Sequence, residues 1–238
     1  MPGLGTIINT AAIVVGGLLG LLFKNLLTKS MEDTLLKASS VCVLFIGIGG
    51  AMQHMLKITD GALETGGSMM LIVCFVLGSI VGELLDIEGA FERFGAWLRK
   101  KTHNESDTGF LSAFIHASLT VCIGAMAIVG SIQDGLLGDS SLLCAKAALD
   151  AVIILVMTAS MGKGCIFSAI PVALLQGGVT LLSRVLAPVF TEAAIANLSY
   201  TGSVMIFCVG LNLVWGKKIK VANLLPTLVF AVLYALVF

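Results

Sequence analysis

Apolar residues fill this chain in long uninterrupted runs, and the polar residues collect in short stretches between them. Eight runs reach or approach membrane-spanning length: Thr6 to Phe23, Ala38 to Met55, Met69 to Leu85, Phe110 to Ile132, Leu142 to Met161, Cys165 to Leu182, Tyr200 to Trp215 and Val221 to Phe238. A helix needs about 20 apolar residues to cross the hydrocarbon core, whereas a barrel strand needs about 10 alternating ones. The runs do not alternate, so the expected fold is all-α: a polytopic bundle of about eight transmembrane helices. Span six carries Pro171 and the pair Gly177-Gly178, which could break it into two half-helices.

Between spans three and four the pattern changes. From Asp86 to Thr108, Ile87, Ala90, Phe91, Phe94, Trp97 and Leu98 recur three or four residues apart, with Glu88, Glu92, Arg93 and Arg99 mostly off that stripe. This predicts an amphipathic helix in the headgroup region, with Trp97 at the interface; binding of a partner is the alternative.

Composition agrees with the runs: 58% of the 238 residues are hydrophobic and 12% charged, outside the range of soluble domains. Charge then orients the bundle. With eight spans, Lys24, Lys29, Lys37, Arg93, Arg99, Lys100, Lys101, Lys163, Lys217, Lys218 and Lys220 fall on one side, and only Lys57, Lys146 and Arg184 on the other. The basic side is expected to be cytoplasmic, which puts both termini outside the inner membrane. A net charge of zero gives no case for nucleic acid. The six cysteines stand singly in or beside apolar runs, as core residues do, and no metal or other cofactor is expected. No basic region precedes the first run, and Asn9 and Thr10 interrupt it, so it is expected to stay as a span.

Two internal likenesses suggest repetition. Ala12 to Leu22 (AIVVGGLLGLL) is similar to Phe75 to Leu85 (FVLGSIVGELL), and Cys122-Ile123-Gly124 followed by Gly130 has the spacing of Cys208-Val209-Gly210 followed by Gly216. Pairing spans three to five with six to eight gives an inverted three-helix repeat: a leading pair in 1–62, a first unit in 63–162 and a second in 163–238. Inverted repeats commonly hold a transporter's site at their interface; close helix packing at small residues explains the glycines equally well.

Chemistry is then sought among the few polar residues inside spans. Lys146 and Asp150 lie four apart on one face of span five, the acid roughly 12 Å in at 1.5 Å per residue. Such groups mark a substrate, ion or proton site, or form a structural ion pair. Gln133 and Asp134 are expected where span four ends, as an outer vestibule of solvated groups. Asn9, Gln176 and Asn212 are amides that would line the pathway or join helices by hydrogen bonds. Glu83 and His116 read as an interfacial acid and a structural histidine.

The stretches GTIINTAAIVVGGLLG (Gly5 to Gly20), CIGAMAIVGSIQDGLLGD (Cys122 to Asp139), AKAALDAV (Ala145 to Val152) and SAIPVALLQGG (Ser168 to Gly178) together resemble the YqgA/YdfK family of bacterial inner-membrane proteins, a domain-of-unknown-function family. The resemblance runs along essentially the whole chain and implies a polytopic membrane protein with no assigned substrate. The residues lead to a transporter of a small solute or ion, with a passive channel or a structural membrane protein as alternatives. The chain lacks a Gly-x-Ser-x-Gly elbow and a His-Glu-x-x-His pair, so no enzyme is expected. A homodimer in the lipid bilayer is the expected assembly.

Overall fold

A computed structural model describes residues 2–24, 28–59, 62–105, 107–123 and 125–237. Its helices follow the apolar runs: α1 (Leu4–Lys24), α2 (Lys29–Met55), α3 (Ser68–Leu85), α4 (Ile87–Lys101), α5 (Phe110–Cys122), α6 (Ala125–Leu137), α7 (Ser141–Met161), α8 (Ala169–Leu181), the single turn α9 (Ser183–Leu186), α10 (Glu192–Trp215) and α11 (Pro226–Val237). Three-residue-per-turn segments, Lys163–Ser168 and Val221–Leu224, lead into α8 and α11. A small hairpin not expected from the runs, β1 (Leu56–Thr59) with β2 (Ala62–Thr65), joins α2 to α3.

Six helical segments are long and apolar enough to cross a membrane, and α5 with α6 supplies a seventh if the bent pair is one span. Val221–Val237 is apolar but shorter. Large apolar side chains on the outside, among them Ile7, Leu22, Ile80, Leu84, Val152 and Leu174, present the surface that lipid requires. The protein is an all-helical membrane bundle.

The expected break in span six lies elsewhere. Lys163–Leu181 runs as one segment, whereas span four bends by 61° between α5 and α6. Pro171 is harmless because it occupies the first turn of α8, where an N–H has no intrahelical acceptor to lose. Gly177 and Gly178 stay helical, since glycine lowers helix propensity by only about 1 kcal/mol. In span four the backbone turns extended at Ile123, with φ −82° and ψ 118°. Gly124, part of the Cys-x-Gly likeness, lies outside the described residues.

Helices meet closely where the sequence is smallest. α1 lies along α7, α2 along α10, and α3 along α11. A Cβ on Gly16 would strike the Ala151 carbonyl, and one on Gly78 the backbone of Thr227, so these two glycines set the α1–α7 and α3–α11 separations. α7 and α10 end alike. Gly162 (φ 104°, ψ −173°) and Gly216 (φ 77°, ψ −179°) follow them, and each leads through a tight turn to a helix with proline in its first turn. This likeness pairs α7 with α10 and is separate from the three-helix pairing expected from sequence.

The amphipathic helix forms as expected, but its stripe packs on protein. Ile87, Phe91, Phe94 and Leu98 join the core, and Gly95 lets α4 approach Leu111 and Phe114 of α5. Trp97 remains half exposed, stacked on Phe94 with centroids 5.8 Å apart. Asp86 starts α4 by accepting from Gly89 N at 3.2 Å.

Candidate functional site

Helical spacing places Lys146 and Asp150 on one face of α7, and the structure joins them: Lys146 Nζ is 2.5 Å from Asp150 Oδ2. The same ammonium donates to the Val121 carbonyl at 2.9 Å. That carbonyl belongs to the last turn of α5, just before Ile123 leaves the helix, where the last carbonyls lack the usual i+4 N–H partners. The break in span four thus supplies a lone pair, at the negative end of a half-helix dipole, to a buried ammonium. Asp150 Oδ2 also accepts from Asn9 Nδ2 of α1 at 3.0 Å.

A second acid enters from α6. Asp134 was expected to be solvated, but α6 continues to Leu137 instead of ending at Ile132, which carries Asp134 into the bundle with no exposed surface. Its Oδ2 accepts from Gly5 N at 3.0 Å, in the first turn of α1, where free N–H groups and the helix dipole favour a carboxylate. Asp139, two turns on, is the exposed acid. Its hydrogen bonds with Ser141 hold its carboxyl below the usual carboxylate range.

α8 closes the group from another side. Thr6 and Thr180 hydroxyls are 3.4 Å apart, and a Cβ on Gly17 would meet Ile166. Residue numbers therefore run in opposite directions along α1 and the Lys163–Leu181 segment. Moving one turn inward from the Thr6–Thr180 contact reaches Asn9 on one side and Gln176 on the other, so Gln176 shares the level of Asn9 and Asp150.

The bonding of this cluster is incomplete. Asn9 Oδ1, Asp134 Oδ1 and both Gln176 amide atoms are buried without a hydrogen-bond partner, although Asn9, Asp134 and Gln176 are 0%, 0% and 1% exposed. With its acids ionised, the cluster has two carboxylates, Asp134 and Asp150, against one ammonium, Lys146. It can therefore hold a group that is positive or rich in donors.

Two expected members are elsewhere. Asn212 is engaged in the turn after α10, donating to Ile219 O at 2.7 Å and accepting from Lys218 N at 3.0 Å and Ile219 N at 2.9 Å. Gln133 is only partly buried and makes no hydrogen bond among the described residues. Sequence reasoning missed Thr6, Thr180 and the Val121 carbonyl; the threonines looked like ordinary helix residues, and the carbonyl matters only because α5 ends there.

Two cavities lie in the bundle, and the second of them borders the break in span four. One of about 170 Å³ is lined by Glu88, His116, Asn212 and Lys217 among others. An apolar one of about 520 Å³ lies against the break, lined by Cys122, Ile123, Pro171, Leu175, Leu225 and Leu228 among others.

Known proteins place the whole chain. It is 26% identical over 224 residues to the uncharacterized membrane protein YdfK of Bacillus subtilis (strain 168), covering 94% of this chain and 92% of that protein. It is 25% identical over 235 residues to the uncharacterized protein YqgA of Escherichia coli (strain K12), covering 96% and 94%. No solved structure matches it significantly. The model of the family described as protein of unknown function DUF554 matches residues 4–236, in line with the resemblance in the sequence, and the chain belongs to the DUF554 family of membrane proteins.

Proposed function

We propose that this protein is a transporter of a bacterial cytoplasmic membrane, carrying a small solute or ion through the polar region between α1, α6, α7 and α8. One observation carries the reading: a buried ion pair at a helix break has beside it buried polar atoms that nothing among the described residues satisfies. Native interiors pair such atoms almost completely, and ionisable groups inside a membrane usually mark a pathway. The inverted-repeat reading gives this position a reason, since α6 and α7 fall in the first unit and α8 in the second. The basic loops place both termini outside.

The experiment is transport into proteoliposomes containing the purified protein, using labelled inorganic ions and small organic solutes, with entrapped dye for protons. Uptake by the wild type that is lost in Asp150→Asn and Lys146→Met, both still folded by size exclusion, supports the assignment. Normal uptake by both variants removes this site from the pathway. Accumulation against a gradient distinguishes a carrier from a channel.

A further inference from the structure

We propose that the unpartnered oxygens buried among α1, α6 and α8 bind a small monovalent cation of sodium size, ligated by Asp134 Oδ1, Asn9 Oδ1 and the Gln176 side-chain oxygen. The inference deepens the transport reading, naming the coupling ion of the same site, but its evidence is separate from that of the ion pair.

Charge argues first. Lys146 is committed to Asp150 at 2.5 Å, and Asp134 has no cationic partner among the described residues. A carboxylate with no exposed surface is costly unless a counter-charge or protonation compensates it. One N–H from Gly5 and the N-terminal dipole of α1 stabilise it only partly, because that end carries about half an elementary charge.

The donor inventory argues next. Asn9 spends its Nδ2 on Asp150, so the atom left over is an oxygen. Asp134 Oδ1 is likewise an unpartnered oxygen, and Gln176 can turn its oxygen to either side of its amide. A water could bond to these atoms but would leave the charge of Asp134 uncompensated. A proton on Asp134 would cancel the charge yet satisfy one oxygen directly. A metal cation does both for several oxygens at once.

Charge number and hardness narrow the ion. One uncompensated carboxylate matches a single positive charge. Calcium takes 6–8 oxygen ligands, commonly several of them carboxylates, and transition metals favour nitrogen or sulfur. No group of three or more His, Cys, Asp or Glu suited to a metal exists among the described residues. The antiparallel register of α1 and α8 puts Gln176 level with Asn9, and the Gly5 contact puts Asp134 one turn of α1 toward the outside. An ion entering from outside thus meets Asp134 first.

The test uses purified full-length protein in detergent, with sodium exchanged for choline at constant ionic strength, read by thermal unfolding and by binding of labelled sodium ions. Sodium is expected to raise the melting temperature saturably, as a ligand of the native state must, and labelled sodium to bind at about one ion per chain. Gln176→Leu and Asp134→Asn are each expected to weaken binding by roughly tenfold or more, the value of one lost contact to a charged group. Glu92→Gln, on α4, is expected to leave it unchanged.

Identical melting curves in sodium and choline, with no bound label, would mean that water alone meets these oxygens and would overturn the proposal. Stabilisation by acid that disappears in Asp134→Asn, without any response to sodium, would assign a proton instead and overturn it too. Sodium binding unaffected by both variants would place the ion elsewhere and also refute it. Should either variant misfold, the wild-type titration still decides whether sodium binds, and the other variant whether it binds here. Sodium binding in a protein that transports nothing would sink the transporter reading alone; transport lost in Asp150→Asn without sodium binding would sink the cation site alone.

Discussion

Two of the regions where the bundle buries polar groups treat them in opposite ways. Where α3 meets α4, Glu88 accepts from Ala222 N at 2.9 Å and pairs with Lys217 at 3.0 Å, while its own N–H donates to Asn223 Oδ1 at 2.7 Å. Asn223 Nδ2 donates to Glu83 at 2.6 Å, Glu83 pairs with Lys220, and Lys217 also reaches Glu92. The acids and amides there pin α3 and α4 to the turn between α10 and α11. Around Asp150, by contrast, the pair is made but Asn9, Asp134 and Gln176 keep unpartnered atoms. Completed networks hold helices in place, whereas incomplete ones at membrane depth leave room for a ligand, so satisfaction separates the two roles better than burial does.

The strongest way to break this comparison is to remove half of the buried pair. Asp150→Ala leaves Lys146 uncompensated with 9% side-chain exposure and is expected to cost about 3–5 kcal/mol. The double variant Asp150→Leu with Lys146→Met should recover most of that loss, because neither half of the pair is left without the other. Thermal unfolding in detergent measures both. A double variant as unstable as the single one would show that the pair is structural, like the network where α3 meets α4.

The amides sharpen the contrast at smaller magnitude. Asn212→Ala removes three hydrogen bonds and orphans the Lys218 and Ile219 N–H groups, a loss of about 1–3 kcal/mol. Gln176→Leu removes none and should be neutral or stabilising in sodium-free buffer. Equal destabilisation by the two changes would erase the distinction.

Legibility followed the same division. The helices were readable because hydrocarbon demands long apolar runs, and the helices follow those runs, although the fourth run divides into α5 and α6 and the last, Val221–Val237, is shorter than the six candidate spans. The pairing of Lys146 with Asp150 was readable because four residues make one helical turn. Asp134 was not, since the end of α6 was assigned where the polar residues began. Asn212 looks like Gln176 in sequence, an amide in an apolar run, and only the fold of the turn after Gly216 shows that its amide oxygen and one N–H are used nearby. Pro171 with Gly177-Gly178 points to a break in span six because proline and glycine are the usual helix breakers, but first-turn position cancels the effect of the proline and the glycines stay helical. The hairpin went unread because its strands are four residues each, although Asp60-Gly61 between them is a strong hairpin signal in sequence.

Glycine substitutions probe the same two regions. Gly82→Ala drives a methyl into the Asn223 carbonyl at the network where α3 meets α4 and is expected to cost about 1–3 kcal/mol by overpacking. Gly178→Ala, two residues from Gln176, meets nothing within 4 Å and should stabilise by about 0.4–1 kcal/mol through the unfolded chain. Melting temperatures moving in the same direction would contradict the packing difference between the regions.

The smallest effect is a pH dependence confined to the network where α3 meets α4. A hydrogen bond from Arg93 holds the Asp86 carboxyl below its usual 3.8, and the hydrogen bond to Glu83 holds the Lys220 ammonium above its usual 10.5. A depressed acid stabilises the folded state above its unfolded pKa and loses that contribution as pH falls through the folded value. A raised base stabilises below its unfolded pKa and loses it as pH rises through the folded value. The two contributions are therefore both complete between 3.8 and 10.5, and both groups are exposed, so the limbs should be shallow. Fluorescence of Trp97 on α4, recorded in a Trp215→Phe background, is expected to stay flat across that window and change only outside it. Asp86→Asn should flatten the acid limb alone. A transition near neutral pH at Trp97 would mean that α4 senses a group outside this network, and the α3–α4 end would then cease to be the inert half of the comparison.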